Sequence, residues 1–421
     1  MTSIFKSVMK FLLILLVLGV LFSFAMFQGG FLSWFLFYTG LPFILYYILL
    51  LLYPLRGWKL SASLSSEVVH AGDEVLLKLT IDRKLAFPLP FMVLDLEVPD
   101  SLHKKDTRSK ERNLFSEGGI IRYERELKEI FFPWFRRRSE LVFTLDNLPR
   151  GEHRMSLVNV KVGDLFGFME REHSFPLQVN VVVYPVERRI KVMQYLTSFE
   201  GGVVPYYTHQ LKNTNVAGGV REYAPGDKFS CIDWKQTARQ QEIMTKEFDQ
   251  EKSAEMIMIF NALVDESLHP IAFEAAVELS LAMFEDLAKK NGGVDLFSLG
   301  NELTSFSSAD VYKNDNQLRH HFARVQAVEN AALVAQLDQV RTSFDAYDTY
   351  VFITTLVNRP VMQSIDLMKQ HANKLVVLYI QANPFIMEDE QKNMQILRSQ
   401  GVSTYILTDK QLSFDPIEVK F

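Results

Sequence analysis

Cysteine is almost missing from this sequence. The single Cys231 excludes an intramolecular disulfide and a multi-cysteine zinc centre, and it fits a reducing compartment. It stands between Ser230 and Ile232 in no Cys-x-x-Cys context, so it reads as a small packing residue and not as a nucleophile. An excess of positive charge is missing too: the net charge of −5 offers no basic stripe for nucleic acid. So are the common catalytic signatures. There is no Gly-x-x-x-x-Gly-Lys-Ser/Thr, no His-Glu-x-x-His, no Gly-x-Ser-x-Gly and no Gly-x-Gly-x-x-Gly. His320 and His321 are adjacent and would point to different faces of a helix, so they are not a ligand pair. No catalytic residue and no cofactor is therefore expected.

Charge is also scarce in the first part of the chain. Val8 to Phe27 and Phe31 to Tyr53 are two apolar runs, each long enough to cross about 30 Å of hydrocarbon as a helix. Only Gln28, Gly29 and Gly30 separate them, so residues 1–56 read as an antiparallel transmembrane hairpin that meets the lipid bilayer through residues 8–53. A signal peptide competes for the first run, but no small-x-small cleavage site precedes the turn and a second full-length run follows at once. Lys6 and Lys10 flank the first run, Arg56 and Lys59 flank the second, and the turn carries no charge. Both termini and everything after Arg56 are therefore expected on the cytoplasmic side of a multi-pass cell-membrane protein. Trp34, Tyr38, Tyr53 and Trp58 suit interfacial anchors.

Residues 57–190 change to short alternating runs. Glu74 to Asp82, Phe91 to Val98, Ile120 to Leu127, Ser139 to Leu145, Met155 to Val162 and Leu177 to Tyr184 fit strands divided by Gly, Pro and Asp turns. Strands at this spacing suggest an all-β, immunoglobulin-like sandwich. Phe131-Phe-Pro-Trp-Phe-Arg-Arg-Arg138 combines aromatics with arginines in a pattern suited to a membrane surface or an anionic partner, although a solvated basic turn between strands explains it more simply. Val162 to Phe168 reads as a tight turn that buries Phe166 and Phe168.

In residues 253–421 strands and helices alternate. Strands are expected near 255–262, 294–299, 350–354, 374–380 and 402–407, with helices between them, and this order predicts a parallel, doubly wound α/β sheet with ligand sites beyond the carboxyl ends of its strands.

Within the segment 191–252, Gly218 to Glu251 hold the densest mixture of charged, aromatic, glycine and proline residues. Charges of alternating sign there favour internal ion pairs, and Trp234 and its aromatic neighbours offer area to bury, so the segment reads as a polar-networked strap. Arg221-Glu222-Tyr223, Pro225-Gly226-Asp227, Asp233-Trp234-Lys235 and Ala238-Arg239 resemble the signature R-E-Y-x-P-G-D-x-x-x-x-I-D-W-K-x-x-A-R of the bacterial domain of unknown function 58 family, DUF58. The resemblance implies a membrane-anchored protein with a von Willebrand factor type A-like domain in residues 253–421. It further implies a non-enzymatic interaction or adaptor role beside a MoxR-type AAA+ ATPase in assembly or stress response. Type A domains commonly hold a divalent cation through Asp-x-Ser-x-Ser after their first strand, a donor set that suits magnesium. Here Asn261 falls at the first Asp, Leu263 takes the next key place, and Val264-Asp265 follow instead of a serine. A metal-dependent binding or hydrolytic site at Asn261, Asp265 and Ser267 is the alternative reading, and an exposed acidic loop is the expected one.

Overall fold

A computed structural model of the chain describes residues 2–106, 120–164, 167–193, 217–222, 232, 234–240, 242–248, 256–264, 270–291, 293–308, 315–329, 333–341, 349–370, 372, 374–381, 388–412, 414 and 416–420. They form two compact units. The first comprises residues 1–106 and 121–183, and the second residues 107–120 and 184–421.

The first unit begins with α1 (Thr2–Gln28) and α2 (Phe31–Leu52). Gly29 turns the chain between them at φ +61°, a conformation that costs glycine little. The helices pack through Phe22 and Phe37, edge to face at 5.8 Å, and through Gly40, where an added Cβ would stand 3.4 Å from Leu21. Both are long and apolar enough to cross a membrane, and only 6% and 11% of their apolar windows are buried, unlike the core helices of a soluble domain.

Ten strands follow: β1 (Lys59–Leu64), β2 (Val68–His70), β3 (Val75–Asp82), β4 (Phe91–Leu96), β5 (Lys104–Asp106), β6 (Ile120–Arg122), β7 (Leu127–Phe131), β8 (Arg138–Leu145), β9 (Gly151–Gly163) and β10 (Glu170–Tyr184). One sheet has the order β1-β3-β8, a second the order β2-β10-β9-β4-β7, and β5 pairs with β6. Alternation sets the inner faces. Val75, Leu77, Leu79 and Ile81 of β3 are buried, as are Val158, Val160 and Val162 of β9. The expected strand from Ile120 to Leu127 is in fact two, because Arg125 leaves the ladder between them. Its guanidinium donates to Asp146 Oδ1 at 3.1 Å and to the Asp146 carbonyl at 2.7 Å.

The carboxyl end of α2 is bonded into this β-rich body. Tyr53 donates to the Leu85 carbonyl at 2.8 Å and stacks on Phe87 at 5.0 Å, and Trp58 stacks on Phe175 at 6.4 Å. Both residues are buried, so they are core residues and not the lipid anchors expected of them. Each has apolar neighbours on the protein side that the sequence does not reveal. Arg171 Nη1 donates to the Leu50 carbonyl at 3.0 Å, which also accepts from the Tyr53 amide at 3.4 Å, and to the carbonyl of Tyr53 itself, just past the helix end. Arg83, 4% exposed and 5.9 Å above the Trp58 ring, donates to the carbonyls of Phe87 at 3.1 Å, Trp134 at 2.9 Å and Arg136 at 2.8 Å. A bond from a charged donor contributes about 1.5–3 kcal/mol, so this one side chain fixes two loops.

The second unit opens with β11 (Ile190–Met193), β12 (Ala217–Glu222), α3 (Trp234–Gln240) and β13 (Met244–Phe248). Its main sheet comprises β14 (Met256–Asn261), β15 (Val294–Leu299), β16 (Thr304–Ser307), β17 (Thr349–Thr354), β18 (Lys374–Ile380) and β19 (Ser403–Leu407). Helices α4 (Pro270–Asn291), α5 (Asp315–Arg324), α6 (Leu333–Arg341), α7 (Arg359–Lys369), α8 (Glu388–Ser399) and α9 (Asp409–Leu412) connect the strands, and β20 (Ile417–Lys420) ends the chain. The order β16-β15-β14-β17-β18-β19, parallel except for the antiparallel edge β16, is doubly wound with β14 at its centre. Separate apolar clusters bury Met258 and Phe260 of β14 with α4 and Ile257 and Ile259 with α7 and α8, so both faces are covered. β11 pairs in parallel with β20, and ahead of it Arg188 Nε meets Glu278 Oε2 of α4 at 2.9 Å with both side chains buried. Removing one partner of such a pair costs about 3–5 kcal/mol.

His153 in β9 is the buried histidine of the first unit. Nε2 donates to the Pro149 carbonyl and Nδ1 accepts from Ser101 Oγ, both at 2.8 Å. Burial holds its pKa below the ordinary 6.5, and the Arg125 charge adds to that, against the Pro149 carbonyl. The unfolded chain then takes up the proton first, so stability is full above pH 6.5 and falls as the pH drops below it. The melting temperature of the detergent-solubilised protein should fall between about pH 7.5 and 5.5, and His153→Gln should flatten that slope. An unchanged slope in the variant contradicts the assignment.

Candidate functional site

In a doubly wound sheet the ligand crevice lies outside the carboxyl ends of the strands, where the strand order reverses. Here that point lies between β14 and β17; Asn261 and Thr354 are bonded to each other and to backbone, while the buried Thr355 hydroxyl beside them makes no hydrogen bond among the described residues. Asn261, 1% exposed at the end of β14, donates from Nδ2 to Thr354 Oγ1 at 3.1 Å and accepts at Oδ1 from the Leu263 amide at 3.1 Å. Thr354 Oγ1 in turn donates to the Leu356 carbonyl at 2.9 Å and accepts from the Leu356 amide at 3.1 Å. One bond donated and two accepted exhaust a hydroxyl.

The neighbouring strand ends are closed in the same way. After β15, Gln336 of α6 grips the backbone of Gly300 twice, donating to its carbonyl at 2.7 Å and accepting from its amide at 3.2 Å. After β17, Asn393 of α8 donates to the Val357 carbonyl at 2.7 Å. At β18, Glu390 of α8 accepts from Tyr379 Oη at 2.7 Å and from Gln381 Nε2 at 3.3 Å. Beyond β14 the chain at Val328 pairs with Leu263, with Val264 N donating to the Val328 carbonyl at 2.9 Å and Val328 N to the Ala262 carbonyl at 3.0 Å. Leu263, Leu356 and Val357 are buried where oxygen ligands would stand. The side-chain carbonyl of Asn261 can still lend a lone pair, but Asp265 and Ser267 lie outside the described residues. Among the described residues no group of three or more His, Cys, Asp and Glu side chains is placed to hold a metal ion.

The signature is brought together by pairing between distant parts of the chain. Arg221 and Glu222 lie on β12, and β13 runs antiparallel to it with Thr245 opposite Arg221 and Met244 opposite Glu222. Ile232, 6% exposed, bridges to Thr245, and the Met244 amide donates to Thr237 Oγ1 of α3 at 3.0 Å. One face of α3 is thereby tied to β13. The rest of the helix is open: Trp234 is 68% exposed, and Lys235, Ala238 and Arg239 are exposed beside it. The expectation that Trp234 buries apolar area inside the strap is not met. It stands at the first position of the short helix and is exposed even though Thr237, three residues on and on the same side, is bonded to β13. Tyr223, Pro225, Gly226, Asp227, Asp233 and Cys231 lie outside the described residues, as does Phe166.

Phe168 is a second aromatic the sequence misplaced: it is 71% exposed and meets Tyr47 of α2 edge to face at 6.4 Å. Nothing in a Gly-Phe turn distinguishes a ring that faces the core from one that lies along an apolar helix.

Fold and site together define a class: paired apolar helices, antiparallel sheets, and a doubly wound α/β sheet whose carboxyl edge is filled by its own side chains. Residues 219–308 match the family described as protein of unknown function DUF58. YeaD of Bacillus subtilis strain 168, described as an uncharacterized protein, is 34% identical over 311 residues, 74% of this chain and 72% of YeaD. The chain belongs to the DUF58 family. Among solved structures, the CARDB domain of PF1109 from Pyrococcus furiosus is similar at 13% identity and a TM-score of 0.17, over 30% of this chain and 93% of that one. The PilB minor pilin from Streptococcus sanguinis is similar at 7% identity and a TM-score of 0.29, over 77% and 85%. At those scores neither carries an argument.

Thr354→Val should cost about 1–3 kcal/mol in chemical denaturation, because it strands the Asn261 amide and the Leu356 amide in a dry site, while Thr354→Ser should be nearly neutral. Equal stability of all three proteins would show that the edge is not held by this hydroxyl.

Proposed function

We propose that this chain is a non-enzymatic, membrane-anchored interaction protein that recruits a cytosolic partner through the outer face of α3. The observation that carries the reading is the contrast between Asn261 and Thr354 bonded to each other at the sheet edge and a signature helix on which Trp234, Lys235 and Arg239 are all exposed. Exposed tryptophan and arginine are the residue types that carry most binding energy at protein interfaces. The flanking cations favour an acidic patch on the partner. A MoxR-type AAA+ ATPase is the partner class that the family resemblance supplies.

The remaining parts of the reading fit that role. α1 and α2 cross the bilayer as a hairpin, with Lys6, Lys10, Arg56 and Lys59 keeping both ends cytoplasmic. The two antiparallel sheets are immunoglobulin-like and the second unit is von Willebrand type A-like; what supports the latter is a central first strand and an antiparallel third strand at the edge. A cation-dependent site at Asn261, Asp265 and Ser267 is the weaker reading, since it must displace the bonds that Asn261 already makes.

Crosslinking and capture from cells test this directly. Full-length protein should retain a cytosolic partner that Trp234→Ala and Arg239→Glu lose, with melting temperatures unchanged because both side chains are exposed. Lost capture accompanied by lowered melting would return α3 to a structural role, and capture equal to that of the unaltered protein would remove it from the interface.

A further inference from the structure

Three exposed aromatic side chains, Phe132, Trp134 and Phe135, stand on the connection between β7 and β8, followed at once by exposed Arg136, Arg137 and Arg138. A fourth, Phe168, is exposed on the turn between β9 and β10. Single exposed aromatics are ordinary, but four of them with three arginines on one unit mark a contact surface.

Their level along the membrane helices identifies what they contact. Trp134 and Leu89 bond to each other through their backbones, at 3.0 and 3.3 Å. Next to Leu89, the Pro88 carbonyl accepts from Tyr46 Oη at 3.3 Å, and Phe87 stacks on the Tyr46 ring at 5.7 Å. Tyr46 lies about 9 Å inside the carboxyl end of α2, at 1.5 Å per residue. Phe168 reaches the next residue, Tyr47, so both loops flank the helix below its end and not above it. Lys10 of α1 marks the same level: with Ile44, Tyr47, Phe168 and Met169 it lines a groove of about 480 Å³. From Lys10 to the end of α1 is about 27 Å, close to the hydrocarbon thickness of about 30 Å. A lysine is costly any deeper, so this level is the boundary between headgroups and acyl chains.

The surface is also built in advance. Buried Arg83 pins the carbonyls of Trp134 and Arg136, and Trp134 adopts φ 45°, a conformation that a bulky side chain avoids unless its surroundings impose it. Arg138 is partly engaged by Glu140 at 3.3 Å, which leaves Arg136 and Arg137 as the cations of the loop tip.

We propose that the Phe131–Arg138 connection and Phe168 form a wedge that seats the first unit on an anionic phospholipid leaflet. The aromatics enter the headgroup boundary, and Arg136 and Arg137 meet lipid phosphates. The wedge rests on α1 and α2 spanning the bilayer.

The test uses full-length protein in vesicles of phosphatidylcholine with or without phosphatidylglycerol. In a Cys231→Ser background, nitroxide labels are placed singly at Phe135→Cys, Phe168→Cys and, as a depth control, Phe24→Cys. Collision with oxygen and with a water-soluble nickel chelate is then read for each. The wedge predicts that labels at 135 and 168 are shielded from nickel at headgroup depth, and that Arg136→Glu with Arg137→Glu releases the 135 label into water in anionic vesicles. Labels at 135 and 168 open to nickel while the 24 label is buried overturn the wedge and leave the spanning helices intact. A 24 label open to nickel overturns the spanning reading and the wedge with it. Shielding that requires added cytosolic protein assigns the surface to a protein partner instead, and overturns the wedge. As a label-free check on the loop, quenching by brominated acyl chains is compared between the unlabelled protein and Trp134→Phe; the wedge predicts a loss of quenched emission, and no difference contradicts it.

Discussion

A buried polar group must find a partner, and at the two places that decide this architecture the partner is the chain's own backbone. At the junction of the helices with the β-rich body, Arg83, Arg171 and Tyr53 all donate to main-chain carbonyls. At the carboxyl edge of the main sheet, Asn261, Thr354, Gln336 and Asn393 do the same with amides and carbonyls of the adjoining loops. The first set joins apolar helices and antiparallel sheets into one unit. The second ties the ends of β14, β15 and β17 to their adjoining loops at the point where a sheet of this order commonly receives a ligand.

The proposed function places the contact surfaces outside these two networks. In the second unit the Arg188–Glu278 pair and the β11–β20 ladder tie the first and last segments to the main sheet and its helices. The proposed contact surface is α3, which is tied to β13 through Thr237 and lies beside the Ile232–Thr245 bridge while Trp234 and Arg239 are exposed. In the β-rich body, the same logic of a pinned loop with exposed aromatics recurs at Trp134.

Much of the framework was legible in the sequence because apolar periodicity reports which face of an element is buried. α2, the strands β3, β4 and β8, and nearly every helix and strand of the main sheet fall within a residue or two of their expected limits, whereas α1 and β9 begin at Thr2 and Gly151, ahead of the expected Val8 and Met155. What periodicity does not report is the partner. β11 and β20 are short and lie more than two hundred residues apart, so their parallel ladder has no local signal, and β12 pairs with β13 across an intervening helix with no tight-turn signal between them. Aromatic residues were the main source of error for the same reason. Tyr53 and Trp58 are buried in protein, while Trp234 and Phe168 are exposed, and a ring beside an apolar stretch suits lipid or core equally well until its neighbours are known. In the candidate site, Asn261 was legible as a substitution that removes a carboxylate, but its bond to Thr354, far along the chain, was not.

The measurement that tests this account most directly is calorimetric titration of the full-length, solubilised protein with magnesium. A closed sheet edge predicts no saturable heat up to millimolar concentration. Saturable binding that Asn261→Ala abolishes would contradict the account, because it would make the carboxyl edge, and not the outer face of α3, the working part of the protein.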